Sequence, residues 1–286
     1  MSFILMDPVI FKVCDSIAVH GFGLMVAIAL SVSFWLTYTH PLRKKIICGD
    51  ALLNVLFALV VFGVLGGKLL FALVEWDGPW YVPLNPFVEG SSVIGSIAAI
   101  VVTVLVSSWV YKFKVADIMD YISSYASLAQ AIARIGCLWA GCCHGAVVAN
   151  AAWWTVTYAH PDSLATTGVP LHPAQLYASF ASLIIFLAIW LFFKKTWKFP
   201  GMTMSLYFFL EGVARFAVDF WRSSHDLAPH LFSFKIGGTV INIVWYQALA
   251  LCIAAIGLIG FVLTLVRGHN VNREEIYMTR RLSDAF

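Results

Sequence analysis

The chain has 286 residues, of which 61% are hydrophobic and 12% are charged, and its formal net charge is +3. Soluble domains carry roughly 25% charged residues, so this composition excludes an ordinary soluble domain and predicts a membrane protein with room for about six to eight helices. The sequence has no basic patch interleaved with aromatic residues, and we therefore expect no nucleic-acid partner.

Seven apolar segments predict an all-α, polytopic membrane protein. Before them, Pro8 and Lys12 interrupt any spanning run in residues 1–18, which we predict to be an amphipathic segment along the membrane surface. In the second apolar segment, Gly66 and Gly67 allow a close helix neighbour. The predicted transmembrane helices are residues 19–39, 51–74, 91–111, 115–135, 175–193, 201–220 and 239–266. No separate soluble domain is left, so residues 1–286 are predicted to form one membrane-embedded domain.

The positions of Lys and Arg predict how the chain crosses the membrane. Seven spans alternate sides, so the connections near residues 40–48, 112–114 and 194–198 share one face with the C-terminal tail, and this face holds most of the basic residues. The positive-inside rule then predicts a cytoplasmic C-terminus and an external N-terminus. The long loop at residues 136–170 is predicted to face outward, as are the loops at 75–90 and 221–238.

The fourth and sixth predicted spans carry charged side chains. Such side chains are costly within apolar segments and usually functional, so both helices are predicted to line a cavity rather than to face lipid. In the sixth span, Glu211, Arg215 and Asp219 are each four residues apart and share one stripe of the helix, with Arg222 close to it.

Two arginines, Arg134 and Arg215, lie near the predicted outer ends of these two helices. Guanidinium groups that converge from separate helices form a fork-shaped site for phosphate, and a phospholipid head group is the natural ligand at that depth. The alternative is that each arginine pairs with an internal carboxylate, such as that of Glu211 or Asp219, and only ties helices together. Composition leaves these two interpretations about even.

The stretch AIARIGCLWAGCCHG, residues 131–145, adds Cys137, Cys142, Cys143 and His144 to Arg134. This spacing is not a common zinc pattern, and two adjacent ligands strain a tetrahedral site, so we predict no metal and no cofactor. A disulfide on the outer face and a low-pKa thiolate beside Arg134 and His144 are both more plausible. Such a thiolate could attack the substrate itself. The remaining alternative is that small cysteine side chains pack a glycine-rich bend.

The segment LHPAQLY, residues 171–177, has proline at the start of a predicted helix. One interpretation is a helix start alone. The functional interpretation makes His172 and Gln175 hydrogen-bonding groups at the mouth of the cavity, with Tyr177 as an interface anchor.

Several blocks together carry a family resemblance over nearly the whole chain. In order, they are MDPVIF at 6–11, AVHGFGLM at 18–25, GVLGGKLLFAL at 63–73, ARIGCLWAGCCHG at 133–145, LHPAQLY at 171–177 and GVARFAVDFWR at 212–222. These blocks resemble those of the bacterial prolipoprotein diacylglyceryl transferases.

The resemblance implies an enzyme of the bacterial inner membrane that moves the diacylglyceryl group of phosphatidylglycerol to the lipobox cysteine thiol of an exported prolipoprotein signal peptide. Its partners would be that peptide, phosphatidylglycerol and membrane lipid. Arg134 and Arg215 match the family's two essential arginines, Gly145 its signature glycine and His172 a histidine of its later block. Asp219 stands in place of a glutamate, and Lys68 in place of an arginine.

The chain departs from the family pattern at four positions. Phe22 replaces a tyrosine, Ile94 a histidine, Cys137 an asparagine and Cys142 a glutamate. His144 is a candidate to replace the lost base; the alternative is a thiol-dependent membrane oxidoreductase, or a transferase with a different acceptor, that uses Cys142 and Cys143. The candidate catalytic residues are Arg134, Arg215, His144 and Cys142, and the candidate substrate-binding residues are Arg134, Gly145, Lys68, His172, Gln175, Asp219 and Arg222.

Overall fold

A computed structural model of the chain describes all residues except 1–2, 5–7, 15–16, 41–42, 75, 86–89, 197–198, 224–229, 237–238 and 284–286. The predicted segments 1–18, 75–90 and 221–238 therefore lie partly outside the described residues. The helices are α1 Gly21–Thr39, α2 Arg43–Ile46, α3 Gly49–Val74, α4 Val93–Tyr111, α5 Val115–Ala140, α6 Ala174–Thr196, α7 Met202–Asp219 and α8 Trp245–Ser283, with a 3-10 turn at Val82–Leu84. Seven of them are long, as predicted, and the chain is an all-α membrane protein with a few short strands.

Among the described residues, five helices are long and apolar enough to cross a membrane: Gly21–Thr39, Gly49–Val74, Ile94–Tyr111, Ala174–Phe192 and Trp245–Gly268. The chain is thus a multi-pass membrane protein. The two remaining long helices, α5 and α7, are the ones predicted to line a cavity. Their charged and polar residues lower their hydropathy. Such side chains usually face other protein groups instead of lipid.

The N-terminal segment differs from the prediction, because its described residues form strands. The strands are β1 Phe3–Ile4, β2 Val9–Cys14 and β3 Ile17–His20. β2 and β3 pair antiparallel, from Val9 opposite His20 to Cys14 opposite Ile17. β-Branched residues in both paired segments favour strands over an amphipathic surface segment.

The last predicted helix was placed too early. Strands β6 His230–Ile236 and β7 Thr239–Val244 pair antiparallel, and α8 begins only at Trp245. Residues 239–244, TVINIV, are rich in β-branched side chains, and periodicity alone does not distinguish such a short apolar run from the start of a helix. β4 Val156–Thr157 and β5 Pro170–Leu171 are two-residue strands that join β1 in a small sheet.

The chain divides into two compact units, residues 34–119 and residues 1–33 with 120–286. Within the first unit, α3 and α4 approach closely: a Cβ atom on Gly66 would lie 2.8 Å from the carbonyl oxygen of Gly95, and the Ser92 amide donates to the Gly67 carbonyl at 3.0 Å. This confirms the close helix neighbour predicted from Gly66 and Gly67. The prediction of a single domain stays a prediction.

Candidate functional site

The site begins where α5 ends. The helix continues to Ala140, so Cys137 lies in its last turn and the predicted loop begins five residues later than expected. Gly141 ends the helix with φ +77°, and Cys143 follows with φ +58°, a conformation that residues with a Cβ rarely adopt. Two left-handed residues within three positions turn the chain sharply after α5.

Helices α5, α6 and α7 enclose a cavity of about 20 Å³, enough for one water molecule. Gln130 and Arg134 line it from α5, and Glu211 and Arg215 line it from α7. The structure therefore brings together the two arginines that the sequence placed on separate helices. Ser182 of α6 completes its polar lining.

The charged residues of α7 pair among themselves. Arg215 Nε lies 3.1 Å from Asp219 Oδ2, and Arg222 Nη1 lies 3.6 Å from Asp219 Oδ1. Asp219 is fully buried, and it holds both guanidinium groups at the end of the helix. Of the stripe expected from the four-residue spacing, Arg215 and Asp219 form an ion pair that Arg222 extends, whereas Glu211 accepts a hydrogen bond from Gln130.

Arg134 has a different environment. It forms no ion pair with any residue that the structure describes, and the nearby Glu211 carboxylate instead accepts a hydrogen bond from the Gln130 amide. The two interpretations of the arginines thus divide. Arg215 pairs with an internal carboxylate, whereas Arg134 makes no direct ion pair with a described residue and interacts with the Glu211 carboxyl only at longer range.

The balance of charge around the cavity favours an anion. Two guanidinium groups, those of Arg134 and Arg215, and one carboxyl group, that of Glu211, line the cavity, which leaves a positive excess. Guanidinium groups donate in a plane that matches phosphate oxygens, so this pair of arginines has the donors to bind a phosphate group, which is larger than the one-water cavity that they line.

Gly145 joins three segments of the chain. Its amide donates to the His172 carbonyl at 3.0 Å, and the adjacent Ala146 amide donates to the Trp221 carbonyl at 2.9 Å. A Cβ atom on Gly145 would lie 2.4 Å from the His172 carbonyl oxygen and 2.6 Å from the Trp221 carbonyl oxygen. Only glycine lets the turn after α5 lie between the segments that precede α6 and follow α7.

His172 lies in an aromatic cluster before α6. Its ring is 5.0 Å from that of Trp154, and its Nδ1 atom is 3.4 Å from the Tyr177 hydroxyl. Burial lowers the pKa of His172 and favours its neutral form. Tyr177 also contacts Trp221 edge to face, with ring centroids 5.9 Å apart. The proposed roles of His172 in substrate binding and of Tyr177 as an interface anchor stay predictions.

Gln175 supports the turn after α5 from inside the protein. It is 1% exposed, and its side-chain amide donates to the Cys142 carbonyl at 2.9 Å and to the Tyr158 hydroxyl at 3.4 Å. Tyr158, which the sequence did not single out, donates to the Leu138 carbonyl at 2.9 Å. Only the tertiary fold of the long loop reveals this role. Substrate binding by Gln175 stays a prediction.

Replacing Gln175 with leucine is expected to destabilise the protein by about 1–3 kcal/mol, because the Cys142 carbonyl loses its buried donor. The measurement is the midpoint of thermal unfolding in detergent. Leu176→Ala, a change at the exposed neighbouring position, is the control and is expected to leave the midpoint nearly unchanged. Equal midpoints for the two variants would contradict a supporting role for Gln175.

Three cysteine sulfurs meet beside the arginines. The Sγ atoms of Cys137, Cys142 and Cys143 all lie within 4.8 Å of one another, and all three residues are free thiols. Hydrogen bonding to Cys137 and Cys143 raises the pKa of Cys142. Hydrogen bonds from Cys137 and Cys142, together with the charges of Arg222 and Arg134, lower the pKa of Cys143. A catalytic role for Cys142 stays a prediction.

His144 is held in a defined orientation. Its Nδ1 atom lies 3.0 Å from the Gly145 carbonyl oxygen, and Ser223 Oγ donates to the His144 carbonyl at 3.2 Å. A carbonyl oxygen only accepts hydrogen bonds, so the His144 ring donates through Nδ1 in this contact, and Nε2 is its other nitrogen.

Three other positions singled out from the sequence, Phe22, Lys68 and Ile94, are far along the chain from the residues around the cavity. Phe22 of α1 packs beside α5, where a Cβ atom on Gly136 would be 3.2 Å from the Phe22 backbone. Lys68, which is 7% exposed, and Ile94, which is exposed, belong to the unit formed by residues 34–119. Substrate binding by Lys68 stays a prediction.

The chain is similar to proteins of one enzyme family. A family model described as Prolipoprotein diacylglyceryl transferase matches residues 8–263. A phosphatidylglycerol–prolipoprotein diacylglyceryl transferase of Clostridium tetani is 30% identical over 83% of this chain and 98% of its own length. One from Dehalococcoides mccartyi is 29% identical over 82% and 89%. The transferase numbered 2 of Clostridium perfringens is 34% identical over 61% and 68%.

Proposed function

This chain belongs to the prolipoprotein diacylglyceryl transferase family, and from that membership we propose that it joins the diacylglyceryl group of phosphatidylglycerol to the lipobox cysteine thiol of an exported preprotein. It is a membrane-embedded diacylglyceryl transferase. The family match supports this activity over that of a thiol-dependent oxidoreductase. Residues 1–286 act as one transferase domain in the bacterial inner membrane, with the site at the outer face, as the distribution of basic residues predicts.

In the proposed reaction, the acceptor sulfur forms a bond to the glyceryl carbon of the donor while the bond from that carbon to the phosphate oxygen breaks. The electron pair leaves with glycerol phosphate, and the thiol proton passes to a base. Negative charge grows on the leaving phosphate oxygen, so a fixed guanidinium group beside it stabilises the transition state more than the ground state.

The single observation that carries this proposal is the environment of Arg134. Its guanidinium lines the same cavity as Arg215, and within the described part of the chain no carboxylate neutralises it by a direct ion pair. Asp219 instead holds Arg215 and Arg222 in place. Arg134 is therefore the group that contacts the lipid phosphate, and the Asp219 network positions the second arginine.

The test is transfer by membranes that contain the full chain. Phosphatidylglycerol labelled in its acyl chains is offered to a peptide with a lipobox cysteine, and glycerol phosphate is measured in the same sample. We expect labelled peptide and glycerol phosphate in equal amounts. A matched peptide with serine in place of the cysteine controls for the acceptor. If the native chain neither labels the peptide nor restores a strain that lacks its own transferase, the proposal fails.

His144 is the proposed base for the acceptor thiol, because its Nε2 atom is free to accept a proton while Nδ1 contacts the Gly145 carbonyl. His144→Ala is expected to lower kcat by about 10²–10⁴-fold with little change in KM for phosphatidylglycerol. Steady-state transfer kinetics provide the measurement. His160→Ala, in the loop before α6, is the control and is expected to keep kcat within about threefold. A His144→Ala enzyme with native kcat would exclude this base.

A further inference from the structure

The cluster of Cys137, Cys142 and Cys143 has no part in the proposed transfer reaction. These residues belong to two different local structures, the last turn of α5 and the bend that follows it. Their sulfur atoms nevertheless lie within 4.8 Å of one another. With metal–sulfur bonds of about 2.3 Å, three sulfurs around one ion are about 4 Å apart. The three thiols therefore need to close by less than about 1 Å to share an ion.

The backbone accounts for the convergence of two adjacent cysteines. Neighbouring side chains normally diverge, which is the reason that adjacent ligands are uncommon in metal sites. Here Cys143 adopts φ +58°, a left-handed conformation that costs about 1–3 kcal/mol in a residue with a Cβ. At this bend the Cys143 sulfur lies within 4.8 Å of the sulfurs of Cys142 and Cys137. The residue with the strained backbone is thus one of the three whose sulfur atoms lie together.

Positively charged side chains lie close to the three sulfurs. Arg134 is three residues before Cys137 on α5, and the backbone of Arg222 pairs with that of Gly145, two residues after Cys143. Three thiolates and one monovalent cation carry two negative charges. These arginines would partly neutralise that charge.

The ligand set indicates which ion fits. Among the residues that the structure describes, the group within 4.8 Å contains three sulfurs and no histidine or carboxylate. His144, the next residue, directs its Nδ1 atom to the Gly145 carbonyl. Structural zinc takes four ligands, whereas soft thiolate ligands select Cu(I). We propose that Cys137, Cys142 and Cys143 form a three-sulfur binding site for Cu(I).

The test uses the full chain, purified in detergent under anaerobic and reducing conditions and titrated with Cu(I) against a chromophoric Cu(I) chelator. We expect one tightly held Cu(I) ion per chain. Cys137→Ser, Cys142→Ser and Cys143→Ser are each expected to weaken binding by more than about 100-fold. Cys48→Ser and Cys252→Ser, at exposed and isolated thiols, are the matched controls and should bind Cu(I) as the native chain does.

A second measurement keeps the proposal testable if a cluster variant does not fold. X-ray absorption of the Cu(I)-loaded native chain is expected to show three sulfur neighbours at about 2.3 Å. A Cys142→Ser chain that folds and keeps native affinity would overturn the site, as would a copper environment with two sulfurs. Displacement of Cu(I) by an equal concentration of Zn(II) would overturn the assignment of the ion.

Discussion

Replacing Arg134 with alanine is expected to lower the rate of diacylglyceryl transfer by at least about 10²–10³-fold, the usual cost of losing one preorganised group that stabilises transition-state charge. Arg134 lines the cavity with Arg215, but unlike Arg215 it has no described carboxylate in an ion pair. Its removal therefore takes away this positive charge without breaking a direct ion pair among the described residues. The measurement is kcat and KM for phosphatidylglycerol with a lipobox peptide as acceptor.

The conservative change Arg134→Lys separates charge from geometry. Lysine keeps the charge but loses the planar pair of donors, so we expect partial activity, above that of Arg134→Ala and well below native. Arg267→Ala, at an exposed arginine of α8, is the control for the loss of one positive charge. The role of Arg134 would be refuted if Arg134→Ala transferred at the native rate while the folded fraction of the protein was unchanged.

The long helices could be predicted from the sequence because bilayer thickness imposes about 20 apolar residues on each span. The close approach of α3 and α4 was also predictable, since Gly66 and Gly67 have no side chains to keep a neighbouring helix at a distance. The hairpin at His230–Ile236 and Thr239–Val244 was not predictable in the same way. Its apolar, β-branched residues carry no period that separates a strand from a buried helix end.

The sequence could predict which charged residues share a helix face, but less well how they pair. A four-residue spacing placed Arg215 and Asp219 on one stripe, and the structure joins them at 3.1 Å. The amide of Gln130 hydrogen-bonds to Glu211 across two helices. No local pattern encodes such a contact. Tyr158 escaped detection for the same reason, because its partner Leu138 lies twenty residues away.

The cysteines show how an assumption about geometry limits sequence reasoning. The cysteine spacing was compared with that of a tetrahedral zinc site, in which two adjacent ligands cause strain. The positive φ of Cys143 changes the direction of one side chain, at a bend where three sulfurs lie within 4.8 Å of one another. A positive φ is uncommon in residues other than glycine, so the presence of cysteine at position 143 does not indicate one.

Gly145→Ala is expected to reduce transfer by about 100-fold and to destabilise the protein by about 1–3 kcal/mol or more. The added methyl group would lie 2.4 Å from the His172 carbonyl oxygen and 2.6 Å from the Trp221 carbonyl oxygen, and backbone atoms cannot rotate away as a side chain can. The turn that carries His144 would shift relative to α7 and its arginines. Transfer kinetics and the thermal unfolding midpoint provide the measurements.

Gly23→Ala is the matched control, because a Cβ atom at Gly23 would have no neighbour within 4 Å. Alanine is also the better helix former, so this variant is expected to be at least as stable as the native chain and equally active. The comparison tests whether Gly145 is needed for close approach or only for flexibility. If Gly145→Ala retained native activity and stability, the Gly145 amide and the carbonyls of His172 and Trp221 could not be as close as the structure places them. In that case, the contacts that join this turn to the segments before α6 and after α7 could not be what orients His144.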